Sequence, residues 1–95
     1  MEHWLSRSEL LVGTKGLEKL SNSTVLVAGL GGVGSYAAEM LARSGVGHLI
    51  LIDNDVVAST NRNRQLPALT GTEGVLKTRV MDDRIRQINP EIILE

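Results

Sequence analysis

Residues 24–34 read TVLVAGLGGVG, a short apolar run that breaks into four glycines in six residues. TVLVAG (24–29) is rich in β-branched residues and almost wholly apolar, the signature of a strand inside a parallel sheet covered by helices. The turn Gly29–Gly34 follows directly. SYAAEMLARSG (35–45) then reads as a helix, with Ala37, Ala38, Met40 and Leu41 on the packing side and Gly45 as its stop. HLILID (48–53) is a second apolar strand, ending in an acid. Strand, helix and parallel strand within about thirty residues make a right-handed βαβ unit.

Around that unit the pattern is less regular. In SRSELLVGTKGLEKL (6–20) apolar residues fall at mostly helical spacing, and Gly13 and Gly16 interrupt them, so two short helices are expected. Residues 54–71 (NDVVASTNRNRQLPALTG) show no period, and eighteen irregular residues in a small domain point to a functional loop. Thr72 can cap a third helix, TEGVLKTRVMDDRIRQI, with the stripe Leu76, Val80, Ile85 and Ile88 and a stop at Asn89-Pro90. EIILE (91–95) reads as a third strand. The fold class is therefore α/β: the N-terminal part of a Rossmann-like doubly wound sheet, with parallel strands 24–29, 48–53 and 91–95 and N-terminal helices over 1–21. Half a doubly wound sheet leaves strand one as an unpaired edge, so the 95 residues are expected to be one nucleotide-binding domain and the N-terminal fragment of a longer protein.

Composition narrows the class. With 10 basic and 11 acidic residues the net charge is −1, and no basic footprint for nucleic acid stands out. There is no cysteine, hence no disulfide, thiolate zinc site or cysteine nucleophile. No apolar run approaches the ~20 residues of a membrane span, and MEHWLSRSELL lacks the basic start and apolar stretch of a signal peptide. A cytoplasmic protein without membrane contact is expected. His3 and His48 are read as structural or solvent-exposed, with no metal site assigned, and Trp4 as a packing or dimer contact.

The glycines have separate tasks. Gly29 permits the tight turn, Gly31 lets the backbone approach phosphates, Gly32 removes a further side chain there, and Gly34 lets helix and strand pack closely. The helix start supplies free N–H groups and the positive end of its dipole. Asp53, nineteen residues past Gly34, is placed to accept hydrogen bonds from ribose hydroxyls. The bland alternative is a tight βα turn without a ligand, against which four glycines in six residues argue. The turn suits NAD as well as ATP. Asn61, Arg64 and Gln65, in the loop leaving strand two, and Lys77 near the next helix start would border the crevice. Two fixed cations suit a triphosphate, Arg64 gripping bidentately and Lys77 as a point charge, and would stabilise charge as pyrophosphate leaves. A solvated loop arginine and helix lysine are the alternative.

SRSELLVGTKGLEKL, VLVAGLGGVGSYAAEMLARSGVG, LILIDNDVV, NRNRQLPAL, Lys77 and INPE together resemble the ThiF/MoeB/HesA family of ubiquitin-activating-type adenylating enzymes. NRQLPAL and GSYAAEMLARSG are most similar to the bacterial tRNA threonylcarbamoyladenosine dehydratase branch. The resemblance implies an ATP-dependent enzyme that activates a carboxylate as an acyl-adenylate. The carboxylate would belong to the threonyl group on a modified tRNA adenosine or, in the sulfur-carrier branch, to the C-terminus of a ubiquitin-like protein. It implies ATP contacts from Gly29, Gly31, Gly32, Gly34, Asp53, Asp55, Asn61, Arg64, Gln65 and Lys77, with Arg64 and Lys77 also catalytic. Arg7 matches an arginine that reaches the partner's active site in a homodimer. Arg62 departs from the family pattern, which has an aliphatic residue there. The Mg2+ ligand implied by the family lies beyond residue 95. An NAD-dependent oxidoreductase and a non-catalytic nucleotide-binding fragment remain the other readings.

Overall fold

The computed structural model describes residues 3–95. The three apolar runs form β1 (Thr24–Ala28), β2 (His48–Ile52) and β3 (Ile93–Leu94), all parallel, in the order β1-β2-β3. Val27 stands opposite Leu51, and Thr24, His48 and Ile93 line up across the sheet. Among the described residues β1 pairs only with β2, as expected of an edge.

Side chains alternate across a strand, so Val27, Leu49 and Leu51 share one face. With Leu30, Ala38, Ala42, Val46, Met81, Ile85 and Ile92 they make the core. The other face leaves Leu26, Ile52 and Ile93 more than half exposed. The expectation that β1 is covered on both sides is thus corrected. Two successive right-handed crossovers running the same way put both helices on one face.

Helix α1 (Ser6–Ser21) is broken at Gly13, whose φ of 76° and ψ of 171° leave the helical region, so the two expected pieces exist. Gly16 does not interrupt the second. No residue of α1 is buried, and Leu10 and Leu11 stand in solvent. The segment is tied to the amino ends of the strands: Leu5 packs against Gly45, and the Gly47 N–H donates to the Leu20 carbonyl at 3.1 Å.

Helix α2 (Gly32–Arg43) starts three residues before the expected Ser35, because Gly32 and Gly34 already form its first turn. Its inward face is Ser35, Ala38, Glu39 and Ala42. Met40, expected to pack, is 51 % exposed. Glu39 is buried because Arg84 and Arg43 both bond its carboxylate. They hold its pKa below the ordinary carboxylate value, Arg84 most strongly, against the opposing effect of burial.

Helix α3 (Lys77–Ile88) starts five residues later than Thr72. Thr72 does not cap it. The hydroxyl instead donates to the Pro67 carbonyl at 2.6 Å and accepts the Leu69 N–H at 2.9 Å, closing the short 3-10 turn Thr70–Thr72. Leu76 therefore lies outside the helix, and the buried stripe is Lys77, Met81 and Ile85. The preceding loop holds a second 3-10 turn, Ser59–Asn63, and is pinned by an antiparallel bridge between Val56 and Leu76. Asn89 follows α3, and its amide donates to the carbonyls of Ala42 and Val46, both at 3.3 Å. No helix among the described residues is long and apolar enough to cross a membrane.

Candidate functional site

The carboxyl ends of β1 and β2 and the first turn of α2 enclose the site. Gly29 has φ of 91°, which a side chain would strain, and its N–H donates to the Ile52 carbonyl at 2.7 Å. Gly34 is required for another reason: a Cβ there would lie 1.7 Å from the Gly29 carbonyl oxygen. At Gly31 and Gly32 an added Cβ would fit in ordinary van der Waals contact, 3.7 Å from Gln65 Nε2 and 3.9 Å from the Arg64 stem. Packing alone therefore does not require glycine at those two positions.

No side chain among the described residues caps α2. Gly31 at the cap position offers no side chain, and the N–H groups of Gly32, Val33 and Gly34 have no acceptor among the described residues. An uncapped helix start attracts an anion.

Asp53 holds this turn together. One carboxylate oxygen accepts the Leu30 N–H at 2.6 Å and the other accepts the Asp55 N–H at 2.8 Å. Burial pushes its pKa up, but those two donors and the nearby charge of Lys77 outweigh burial and leave it lowered. Each oxygen keeps a further lone pair for a ribose hydroxyl. Asp55 contributes mainly backbone: its carbonyl accepts the Lys77 N–H at 3.0 Å, which sets α3 against the β2 loop.

Gln65 is buried beside Gly31, and its Oε1 has no partner among the described residues. Arg64 is exposed, its stem across Gly32 and its guanidinium donating to Asn63 Oδ1 at 2.8 Å and the Thr60 carbonyl at 3.3 Å. Asn61 accepts the Ala58 N–H at 2.9 Å, so its oxygen shapes the loop and its NH2 stays available. Lys77 is 6 % exposed at the first position of α3. A cation there opposes the helix dipole and sits in a poorly solvated place, a cost that a bound anion offsets. Asp53, Asn61, Arg64, Gln65 and Lys77 thus lie on the elements that surround the glycine turn. Arg7 does not join them, because α1 is held at the opposite ends of the strands.

Two residues that the sequence reading passed over belong to this neighbourhood. Asn63 braces the Arg64 guanidinium, and its only signal was an amide next to a cation. Ser35 lies under the turn. Its spacing with Ala38 and Ala42 could have marked it as a polar residue on a buried face. Among the described residues no three His, Cys, Asp or Glu side chains converge, and both oxygens of Asp53 already hold backbone N–H groups. The residues present therefore do not by themselves make a Mg2+ site.

Over residues 5–95 the sequence matches the ThiF family profile. It is 59 % identical over 91 residues to tRNA threonylcarbamoyladenosine dehydratase of Bacillus subtilis (strain 168), a match covering 96 % of this chain and 36 % of that protein. It is 43 % identical over 91 residues to the sulfur carrier protein ThiS adenylyltransferase of Escherichia coli (strain K12), covering 94 % and 36 %. The crystal structure of E. coli tRNA N6-threonylcarbamoyladenosine dehydratase in complex with ATP superposes with a TM-score of 0.93 at 48 % identity, covering 95 % of this chain and 37 % of that one. The chain spans about a third of the length of the curated relatives it matches.

Proposed function

The chain belongs to the ThiF family, and on that premise we propose that it is the ATP-binding part of an adenylating enzyme, specifically a tRNA threonylcarbamoyladenosine dehydratase. The observation that carries the reading is the uncapped first turn of α2, with Arg64 and Gln65 against its glycines and the buried Lys77 acting on Asp53. The similarity to a dehydratase crystallised with ATP supports the nucleotide, and 59 % identity to a B. subtilis dehydratase supports the branch.

In this mechanism the N–H groups at the start of α2 bind phosphate oxygens, and Asp53 accepts from the ribose. The substrate carboxylate oxygen attacks the α-phosphorus, the bond to pyrophosphate breaks, and an acyl-adenylate forms. Lys77 and Arg64 stabilise the charge that builds on the departing pyrophosphate. An internal nitrogen of the threonylcarbamoyl group then attacks the acyl carbon. It loses its proton and AMP leaves, so the ring closes with net loss of water. A tRNA substrate and ATP fit a cytoplasmic place of action.

The enzyme would work as a homodimer. Leu5, two residues before Arg7, packs on Gly45 at the end of α2 opposite the glycine turn of its own chain. The reach of Arg7 to a phosphate would therefore come from a second copy. The exposed apolar residues Leu10 and Leu11 of α1 and Val33, Tyr36 and Met40 of α2 offer surface for such contact.

A second reading, adenylation of a ubiquitin-like sulfur carrier, is favoured by the 43 % identity to the ThiS adenylyltransferase. Exchange of labelled pyrophosphate into ATP separates the two. Exchange that depends on tRNA bearing threonylcarbamoyladenosine supports the dehydratase, and exchange that depends on a carrier protein with a C-terminal glycine overturns it. Thermal protection by NAD with none from ATP would overturn both.

A further inference from the structure

Ser35 is fully buried in the first turn of α2, on the face that otherwise presents Ala38 and Ala42 to the core. A buried hydroxyl needs a hydrogen-bond partner. Both donors of Ser35 go to a single atom: its N–H donates to the Gly31 carbonyl oxygen at 3.1 Å, and its Oγ donates to the same oxygen. A carbonyl and the N–H that follows it point in opposite directions across a trans peptide. Drawing the Gly31 carbonyl along the helix therefore aims the Gly32 N–H out of the helix start, on the side of the turn where Gln65 and Arg64 lie.

The other side of the turn is already held, because Asp53 accepts the Leu30 N–H at 2.6 Å. Between these anchors the Gly31–Gly32 peptide has no side chain to restrain it, and glycine backbones rotate more freely than any other. Serine hydroxyls often bond the carbonyl four residues back inside helices, where the effect is a slight bend. Here the acceptor is the cap residue itself, so the bond acts on the turn that faces the ligand.

We propose that Ser35 is a positioning residue of the nucleotide site, its hydroxyl setting the Gly31–Gly32 peptide so that the Gly32 N–H meets a phosphate oxygen. The proposal rests on the nucleotide reading above. The test is calorimetric titration of the wild-type chain, Ser35→Ala and Ser35→Cys with ATP and with adenosine, alongside melting without ligand. Ser35→Ala is expected to weaken ATP about fivefold, the worth of one hydrogen bond, and to leave adenosine affinity unchanged. Ser35→Cys, close in volume but a weak donor, shows the same selective loss and serves if the alanine variant fails to fold. Equal ATP affinity in wild type and variants overturns the proposal, and so does an equal loss of ATP and adenosine, which marks a merely structural role. A wild-type chain that binds adenosine but gains nothing from the phosphates overturns the proposal while leaving a nucleoside site in place. One that binds neither overturns the nucleotide reading with it.

Discussion

Replacing Gly34 with alanine sets a tight packing contact against the nucleotide site. The new Cβ would lie 1.7 Å from the Gly29 carbonyl oxygen and 2.8 Å from its carbon. Both are backbone atoms, and the Gly29 N–H is tied to Ile52 at 2.7 Å, so no rotamer relieves the clash. A carbon–oxygen contact of about 3.3 Å requires α2 to withdraw by about 1.6 Å. Overpacking of this severity lies at the upper end of the usual range, about 3 kcal/mol. At about 4–8 °C per kcal/mol for a domain this size, the melting temperature falls by about 12 °C or more. The same withdrawal carries the Gly32 N–H from about 2.9 Å to about 4.5 Å from a phosphate oxygen, beyond hydrogen-bonding reach. Gly32→Ala is the control. Its Cβ has 3.9 Å of clearance from the Arg64 stem, and alanine in a helix is favoured over glycine by up to about 1 kcal/mol. That variant should keep or gain stability yet lose ATP, because the methyl fills the phosphate space. Urea denaturation with and without ATP reads both effects. An unfolding midpoint for Gly34→Ala within about 0.5 kcal/mol of wild type, or normal ATP binding by Gly32→Ala, would refute the reasoning.

Three further outcomes are expected. Lys77→Met removes a cation that opposes the α3 dipole, so stability without ligand holds or rises by about 0.3–1 kcal/mol while ATP binding collapses; calorimetric affinity equal to wild type contradicts the role of Lys77. Because Arg84 and Arg43 lower the pKa of Glu39, its contribution to stability is present above the ordinary value of 4.5 and is lost as pH falls through the lower folded value. Glu39→Gln should flatten that acid limb, and urea midpoints from neutral to acid pH that fall in parallel for both proteins would rule this out. Asn89→Ala leaves the carbonyls of Ala42 and Val46 without their buried donor, at a cost of about 1–3 kcal/mol. ATP affinity of the folded fraction should not change, and a loss of ATP affinity at full folding would contradict a purely structural role.

What the sequence made legible follows from how local each signal is. β1 and β2 stood out because a short, unbroken apolar run rich in β-branched residues has few other uses in a small α/β domain. The glycine turn stood out because each glycine answers a different local demand. Boundaries that depend on which of several partners a residue takes did not. Glycines usually end helices, so α2 read as beginning at Ser35, whereas Gly32 and Gly34 begin it, Gly34 because helix and turn meet closely there. Thr72 carried a capping side chain, but Pro67 and Leu69 claim its hydroxyl first. Met40 fits an apolar stripe, yet the sheet lies on the Ala38 and Ala42 side and Met40 faces out. Around the glycine turn the chemistry that each residue type offers was legible, and its second task was not. Nothing in the spacing of Asp53 says that both its oxygens brace backbone N–H groups.

The attachment of α1 to the amino ends of the strands has a genetic consequence. Under the arrangement proposed for Arg7, an active centre draws Lys77 from one copy and Arg7 from the other. Two dead alleles, Arg7→Ala and Lys77→Met, would then complement. Random pairing of equal amounts makes half the dimers mixed, and each mixed dimer regains one complete centre, so activity returns to about a quarter of wild type. Alleles that both lesion the glycine turn would never rescue one another, because that turn and its β2 clamp are always inherited together on a single chain.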